Sequence, residues 1–208
     1  MGHVTRDTDW CVIDINTATG QILFRQRWFY HWIAPSGQSP WTQAQKERFH
    51  GRSDRMVWRI WSNRVTFGVA GGSDFARRFG SRSLPINFDP QWVLSRPHWN
   101  VFVTKVPRGS MAHPSRIEWT LRQIHLSTED FETNRHGGGI VAHEFGHAAG
   151  NTGVLGRGDE YRATSPHNAD TASVMNTGRA LRERHFRTII EEMNRMIPGT
   201  TFSVRSIG

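Results

Sequence analysis

The chain has a single cysteine, Cys11, among 208 residues. One cysteine excludes an intrachain disulfide and leaves no Cys-x-x-Cys pair to hold a metal. Stability must therefore come from packing, and this length suffices for one well-cored domain. Long apolar runs are also missing. No stretch of eighteen apolar residues occurs, which excludes a transmembrane helix. The opening residues, Gly2-His3-Val4-Thr5-Arg6-Asp7, contain no apolar h-region, so no classical signal peptide is expected. If the protein works outside its cell, another route has to deliver it. Internal repeats and low-complexity linkers are absent, which argues against solenoid and array architectures. Lysine is nearly absent beside arginine, and the net charge is +8. The arginines are scattered (Arg52, Arg55, Arg59 and Arg64, then Arg77, Arg78 and Arg82, later Arg179, Arg182, Arg184 and Arg187) and form no single block. Scattered charge favours a solvated surface over a dedicated nucleic-acid footprint.

Against these absences stand nine tryptophans and a clear succession of strand and helix signals. Residues 11–33 read as strands: Cys11 to Ile15 and Ile22 to Trp32 are rich in β-formers, separated by the turn chemistry of Asn16-Thr17-Ala18-Thr19-Gly20. Thr42-x-x-Gln45 has the form of a capping box. Phe49, Met56, Val57, Ile60 and Trp61 continue at helical spacing, predicting one helix over roughly 42–62, with Gly51 as the point where it could break. Strand signals return at Val65–Ala70, Leu84–Phe88, Asn100–Val106 and Ile117–Leu126. A helix is expected over about 138–149, an irregular Gly, Asp and Asn-rich loop over 150–173, and a last helix over about 179–197 with Leu181, Phe186, Ile189, Ile190, Met193 and Ile197 as its apolar stripe. The order predicts an α+β protein in one domain spanning 1–208. An N-terminal sheet-and-helix part (1–135) would precede a C-terminal part (136–208) carrying the chemistry.

That chemistry centres on His143-Glu144-Phe145-Gly146-His147, an H-E-x-x-H motif. Residues four apart share a helix face, so both imidazoles can bind one Zn²⁺ while Glu144 sits beside the metal as a general base. Val141, Phe145 and Ala148 lie away from the histidines, toward a core. Gly150 stands where a helix would stop and turn sharply. A catalytic zinc usually takes three protein ligands, and the residues downstream offer Asp159, Glu160 and His185. Asp159 could instead only cap a turn, and His185, between Leu181 and Ile189 on the helix's inward edge, could be a satisfied core histidine.

His143, Glu144, His147 and Gly150 resemble the metzincin-like zinc peptidases residue for residue, and Ser173-Val174-Met175-Asn176 is similar to their Met-turn. The resemblance implies a zincin-like fold: a mixed twisted sheet, a zinc-binding active-site helix, a Met-turn and a C-terminal helix. The position of the third metzincin ligand is Gly153, which cannot bind zinc. Gly158-Asp159-Glu160-Tyr161 resembles the run following the motif in aspartate-ligated members of the snapalysin type, displaced by about six residues, Asn151 to Gly156. The resemblance thus implies Asp159 as third ligand, with Glu160 and His185 as the remaining choices. The composite also resembles metallopeptidase domains of bacterial secretion-system and polymorphic toxins, which implies a secreted or delivered effector and a possible immunity or inhibitor protein.

The expected activity is peptide-bond hydrolysis by a zinc-activated water. Glu144 takes its proton, and His185 or Tyr161 donates to the developing oxyanion. Ile117 to Leu126 is the strand expected to pair with an extended protein or peptide substrate. Two other readings compete with this one. A basic nucleic-acid-binding module could stack bases on Trp28-Phe29-Tyr30-His31-Trp32, and a zinc-bound pseudopeptidase could act only as a binding domain.

Overall fold

Ile22 to Ile33 alternates in burial, with Ile22, Phe24, Gln26, Trp28 and Tyr30 inward and Leu23, Arg25, Arg27, Phe29 and His31 on the other face. This run is the spine of a mixed sheet in a computed structural model that describes residues 2–110, 113–131 and 139–208. In chain order the elements are β1 (His3–Asp7), β2 (Val12–Asn16), β3 (Ile22–Ile33), α1 (Gln43–Trp61), β4 (Val65–Gly71), α2 (Asp74–Phe79), β5 (Leu84–Trp92), β6 (Trp99–Thr104), β7 (Arg116–Glu118), β8 (Gln123–Ser127), α3 (Ile140–Ala148), α4 (Arg187–Met193) and β9 (Thr200–Ile207). The protein is α+β. Its sheet runs β7-β8-β6-β3-β5-β4-β9, with the β1–β2 hairpin attached through β2 to β3. One edge of β3 pairs in parallel with β5. The other pairs antiparallel with β2 through its first residues and then in parallel with β6. β7 lies at one edge of this order, antiparallel to β8.

The inward face of the sheet receives α1 and α3. Helix α1 begins at the expected capping box, Thr42 with Gln45, and continues unbroken through Gly51. Its last residue, Trp61, donates from Nε1 to the Ala142 carbonyl of α3 at 3.0 Å. On α3, Phe145 is fully buried among four aromatic rings: Trp61 at 5.6 Å, Phe88 at 5.8 Å, Phe24 at 6.1 Å and Trp28 at 6.4 Å between centroids. A buried strand glutamine, Gln26, donates to the Ala148 carbonyl at 2.7 Å, satisfying an otherwise orphaned acceptor at the helix C-terminus. One apolar cluster extends from Trp10 to Phe202 and includes the core residues of α1, α3 and α4. The division expected between 135 and 136, and the helix start expected at 138, lie outside the described residues.

Two expected elements take a different form. Ile117–Leu126 is not one strand but the two strands β7 and β8. Trp119 turns inward onto Trp10 and Trp99, and Arg122, at φ 54°, closes the turn between them. The last helix is also shorter than its apolar stripe. Ala180 is drawn into an isolated bridge with Ser173, Arg182 is extended, and a 3-10 turn over Glu183–Phe186 leads into α4. Leu181, Phe186, Ile189 and Met193 are still buried. Strands β1 and β9 and the short helix α2 were not anticipated from pattern. β9 pairs antiparallel with β4 and extends the sheet beyond it. No helix among the described residues is long and apolar enough to cross a membrane.

Candidate metal centre

Helix α3 presents His143 and His147 from consecutive turns on the face opposite Phe145. Gly150, at φ 102°, ends the helix as its position suggested, and a Cβ there would meet Thr188 at 2.5–2.9 Å. The following loop makes a 3-10 turn at Gly153–Leu155 and a left-handed turn at Gly156, φ 72°. It then returns the chain so that Asp159 faces both histidines. Asp159 Oδ1 is 3.2 Å from His143 Nε2 and 3.1 Å from His147 Nε2, and the two Nε2 atoms are 3.1 Å apart. His143, His147 and Asp159 are the metal-type cluster found among the described residues.

The hydrogen bonds behind the cluster determine what it can do. His143 Nδ1 lies 2.8 Å from the Val174 carbonyl, and His147 Nδ1 lies 2.5 Å from the Asn151 carbonyl. A carbonyl only accepts, so each Nδ1 carries the proton, and in the neutral ring each Nε2 presents a lone pair. Two imidazole lone pairs and a carboxylate oxygen thus converge on one point, an arrangement that is repulsive unless a cation sits among them. The triangle's edges of 3.1–3.2 Å are close to the ~3.3–3.4 Å edge of a tetrahedron with zinc–ligand bonds of about 2.0–2.1 Å. Without a metal, a proton shared in the cluster is the other way to relieve that repulsion. Burial pushes His143 down. At His147 burial acts the same way, but Asp159 and Glu144 outweigh it and raise the value. Burial alone would raise Asp159; the two imidazoles beside it outweigh burial and hold the carboxyl well below the usual range. Its second oxygen, Oδ2, accepts from Arg162 Nε at 3.0 Å, so Asp159 offers Oδ1 alone to the cluster.

Glu144 is buried beside His147 and lines a cleft of about 710 Å³ that also includes His147, Asp159, Tyr161 and Met175. The Tyr161 ring packs over His143 with centroids 6.0 Å apart. Met175 lies below the helix, so close to Gly146 that an added Cβ would fall 2.4 Å from its sulfur. Val174, in the same Ser173–Asn176 segment, supplies the carbonyl that orients His143.

Glu160 and His185 belong elsewhere. Glu160 receives both arms of Arg184, at 2.6 and 2.8 Å, and that pairing holds its carboxyl well below the usual range against the effect of burial. His185 is buried, with Nδ1 accepting from the Arg182 backbone N–H at 3.1 Å and Nε2 at 3.2 Å from Ser173 Oγ. It does not line the cleft. His185 thus packs against Ser173 and the Arg182 backbone, behind the Ser173–Asn176 segment. Asn151, which pattern reading missed, is the more consequential residue. Its side-chain amide donates to the Gly146 and His185 carbonyls at 3.0 Å each, while its own carbonyl orients His147. Its one sequence signal is its place just after the helix-stopping Gly150. Arg162 had a clearer signal, three residues beyond Asp159.

The aromatic run considered for base stacking is largely spent on the fold. Trp28 and Tyr30 are buried. His31 stacks on Phe102 at 4.4 Å, and Phe102 stacks in turn on His125 at 5.1 Å, so these rings cover one another's faces. No family model, curated protein or solved structure matches the chain.

Proposed function

We propose that this protein is a zinc-dependent endopeptidase of metzincin-like type in which His143, His147 and Asp159 hold the metal. The observation carrying this reading is the convergence of three lone pairs at 3.1–3.2 Å, each ligand fixed from behind by a carbonyl or a guanidinium. Two imidazoles and a carboxylate suit zinc, and bound zinc would lower the pKa of a water toward ~7 and polarise a carbonyl. The chain's own residues supply the remainder. Glu144, buried at the cleft wall one residue from His143, takes the proton of the attacking water and passes it to the leaving amine. Tyr161, at the cleft and over His143, is better placed than His185 to donate, through its hydroxyl, to the developing oxyanion. Ser115 to Ile117, entering and starting the edge strand β7, border the same cleft, where an extended peptide could add to the sheet. From the motif composite we further propose that the activity is that of a delivered bacterial toxin or effector domain.

The purified protein should carry about one zinc per chain. His143→Ala, His147→Ala and Asp159→Ala should each lose it, measured by elemental analysis after gel filtration. Glu144→Gln should keep the zinc and the fold but lose cleavage of a general peptidase substrate such as casein. Full zinc in Asp159→Ala would remove the third-ligand assignment. Undiminished cleavage by Glu144→Gln would remove the base. Zinc without any hydrolysis by the native protein would leave a metal-binding module.

A further inference from the structure

Arg157 lines the same cleft as Glu144, His147 and Asp159, and it is half-buried. Its partners are neutral: Nε and Nη2 donate to the Gly150 carbonyl at 3.4 and 3.2 Å, and Nη2 also donates to Thr188 Oγ. No carboxylate lies within ion-pair distance of it among the described residues. Glu191, an acid whose charge acts on Arg157, itself pairs with Arg187 at 3.5 Å. The other cleft arginines differ in this respect. Arg184 is bound to Glu160 and Asp170, Arg162 to Asp159, and Arg116 to Glu118. Removing a guanidinium from water without a counter-charge is costly, and a fold retains such a group cheaply only where an anion completes it. Here the fork is also held in place. Gly150, in its left-handed turn, packs against Thr188, and both supply acceptors to Arg157, leaving Nη1 with no hydrogen bond among the described residues.

We infer that Arg157 is a carboxylate-recognition residue of the cleft, selecting peptides that place an acidic side chain or a free C-terminal carboxylate against it. The inference rests on the reading of the cleft as a peptide site, and it names the chemistry that this site prefers. With Nε and Nη2 fixed, Nη1 is the nitrogen left to donate, and a carboxylate gives it a charge-assisted hydrogen bond that a neutral amide of the same shape does not match.

Binding to the zinc-loaded Glu144→Gln protein tests this independently of hydrolysis. Two peptide sets serve as probes. One carries a single Glu at each position in turn, with blocked termini and Gln counterparts. The other is neutral throughout and compares a free with an amidated C-terminus. In at least one set the carboxylate member should bind on the order of 10²-fold tighter than its amide, and adding Arg157→Gln should reduce that ratio to near one. Glutamine keeps N–H donors for the Gly150 carbonyl, and zinc content reports whether the double variant still holds the centre. Equal binding within both sets overturns the inference, as does a preference that survives Arg157→Gln in zinc-loaded protein. Should Arg157→Gln lose zinc, Arg157→Met decides once zinc is restored: it keeps the side-chain length without the charge, and an undiminished preference would overturn the claim. If the preference appears but the native protein cleaves none of these peptides, carboxylate recognition stands and the peptidase reading fails. Cleavage without discrimination gives the reverse.

Discussion

Each residue of the centre is held by something outside it, and that dependence is specific. His147 relies on a backbone carbonyl, and the carbonyl stays in place because the Asn151 side chain bridges the end of α3 to the 3-10 turn at His185. Asn151→Ala removes both bridging hydrogen bonds from a buried position; the Gly146 carbonyl keeps the Asn151 backbone N–H at 3.1 Å, while the His185 carbonyl loses its Asn151 donor. The expected loss is about 1–3 kcal/mol of stability. Because the His147 orienter moves with the loop, zinc affinity should also fall by roughly 10–100-fold, the usual range for such outer partners. Competition with a chromophoric chelator reads the affinity, and unchanged affinity would show that the carbonyl is held by the loop's other contacts.

Among the elements, α3 is defined by two opposed faces. Phe145 locks one face into the aromatic cage of the sheet and α1, which leaves the histidines no freedom but to face the returning loop. Gly146 sits at the crossing of α3 with Met175 and Trp61, where an added Cβ would lie 2.4 Å from the methionine sulfur and 2.9 Å from the indole. Alanine is the better helix former, so a free surface would gain from Gly146→Ala. Here overpacking should win, costing about 1–3 kcal/mol by thermal unfolding. Met175→Ala opens the space, so the double variant should be less destabilised than the sum of the singles. A stabilised Gly146→Ala protein would show that the Ser173–Asn176 segment does not press on the helix.

Over the whole molecule, the Asp159-bearing loop is tied to the C-terminal region by a chain of ion pairs, Glu160–Arg184–Asp170–Arg182, with contacts of 2.6–2.8 Å. Hydrogen bonding to Arg182, then to Arg184, lowers Asp170 from 3.8 to about 2. Glu160, ordinarily at 4.5, is lowered by Arg184 despite its burial. Both carboxyls therefore bind fewer protons in the folded than in the unfolded chain at acid pH. Their contribution is fully present above the unfolded values and disappears as pH falls through the folded ones. Urea midpoints of the metal-free protein should be insensitive to this network above pH 5 and fall below 4.5 toward 2. Asp170→Asn should flatten that fall. An identical slope in the variant would place the acid sensitivity elsewhere.

The local sequence was enough for the α3 face, the α1 capping box and the Gly150 stop, because helix periodicity and cap chemistry act within a few residues. It was not enough to choose among the candidates for a third ligand. Asp159, Glu160 and His185 all have suitable donor atoms, and only the folded loop showed that Arg184 occupies Glu160, that Ser173 and the Arg182 N–H engage His185, and that Oδ1 of Asp159 is the atom left facing the histidines. The shortened last helix and the split of Ile117–Leu126 have a similar cause. Ala180 follows a distant partner at Ser173, and Trp119 follows Trp10 and Trp99, so contacts remote in sequence override the helical and strand preferences of the segments themselves. Side-chain spacing determined which residues could share a face. Only tertiary pairing decided which of them meet, because that depends on where the rest of the chain leaves an open edge, a free acceptor or an uncompensated charge.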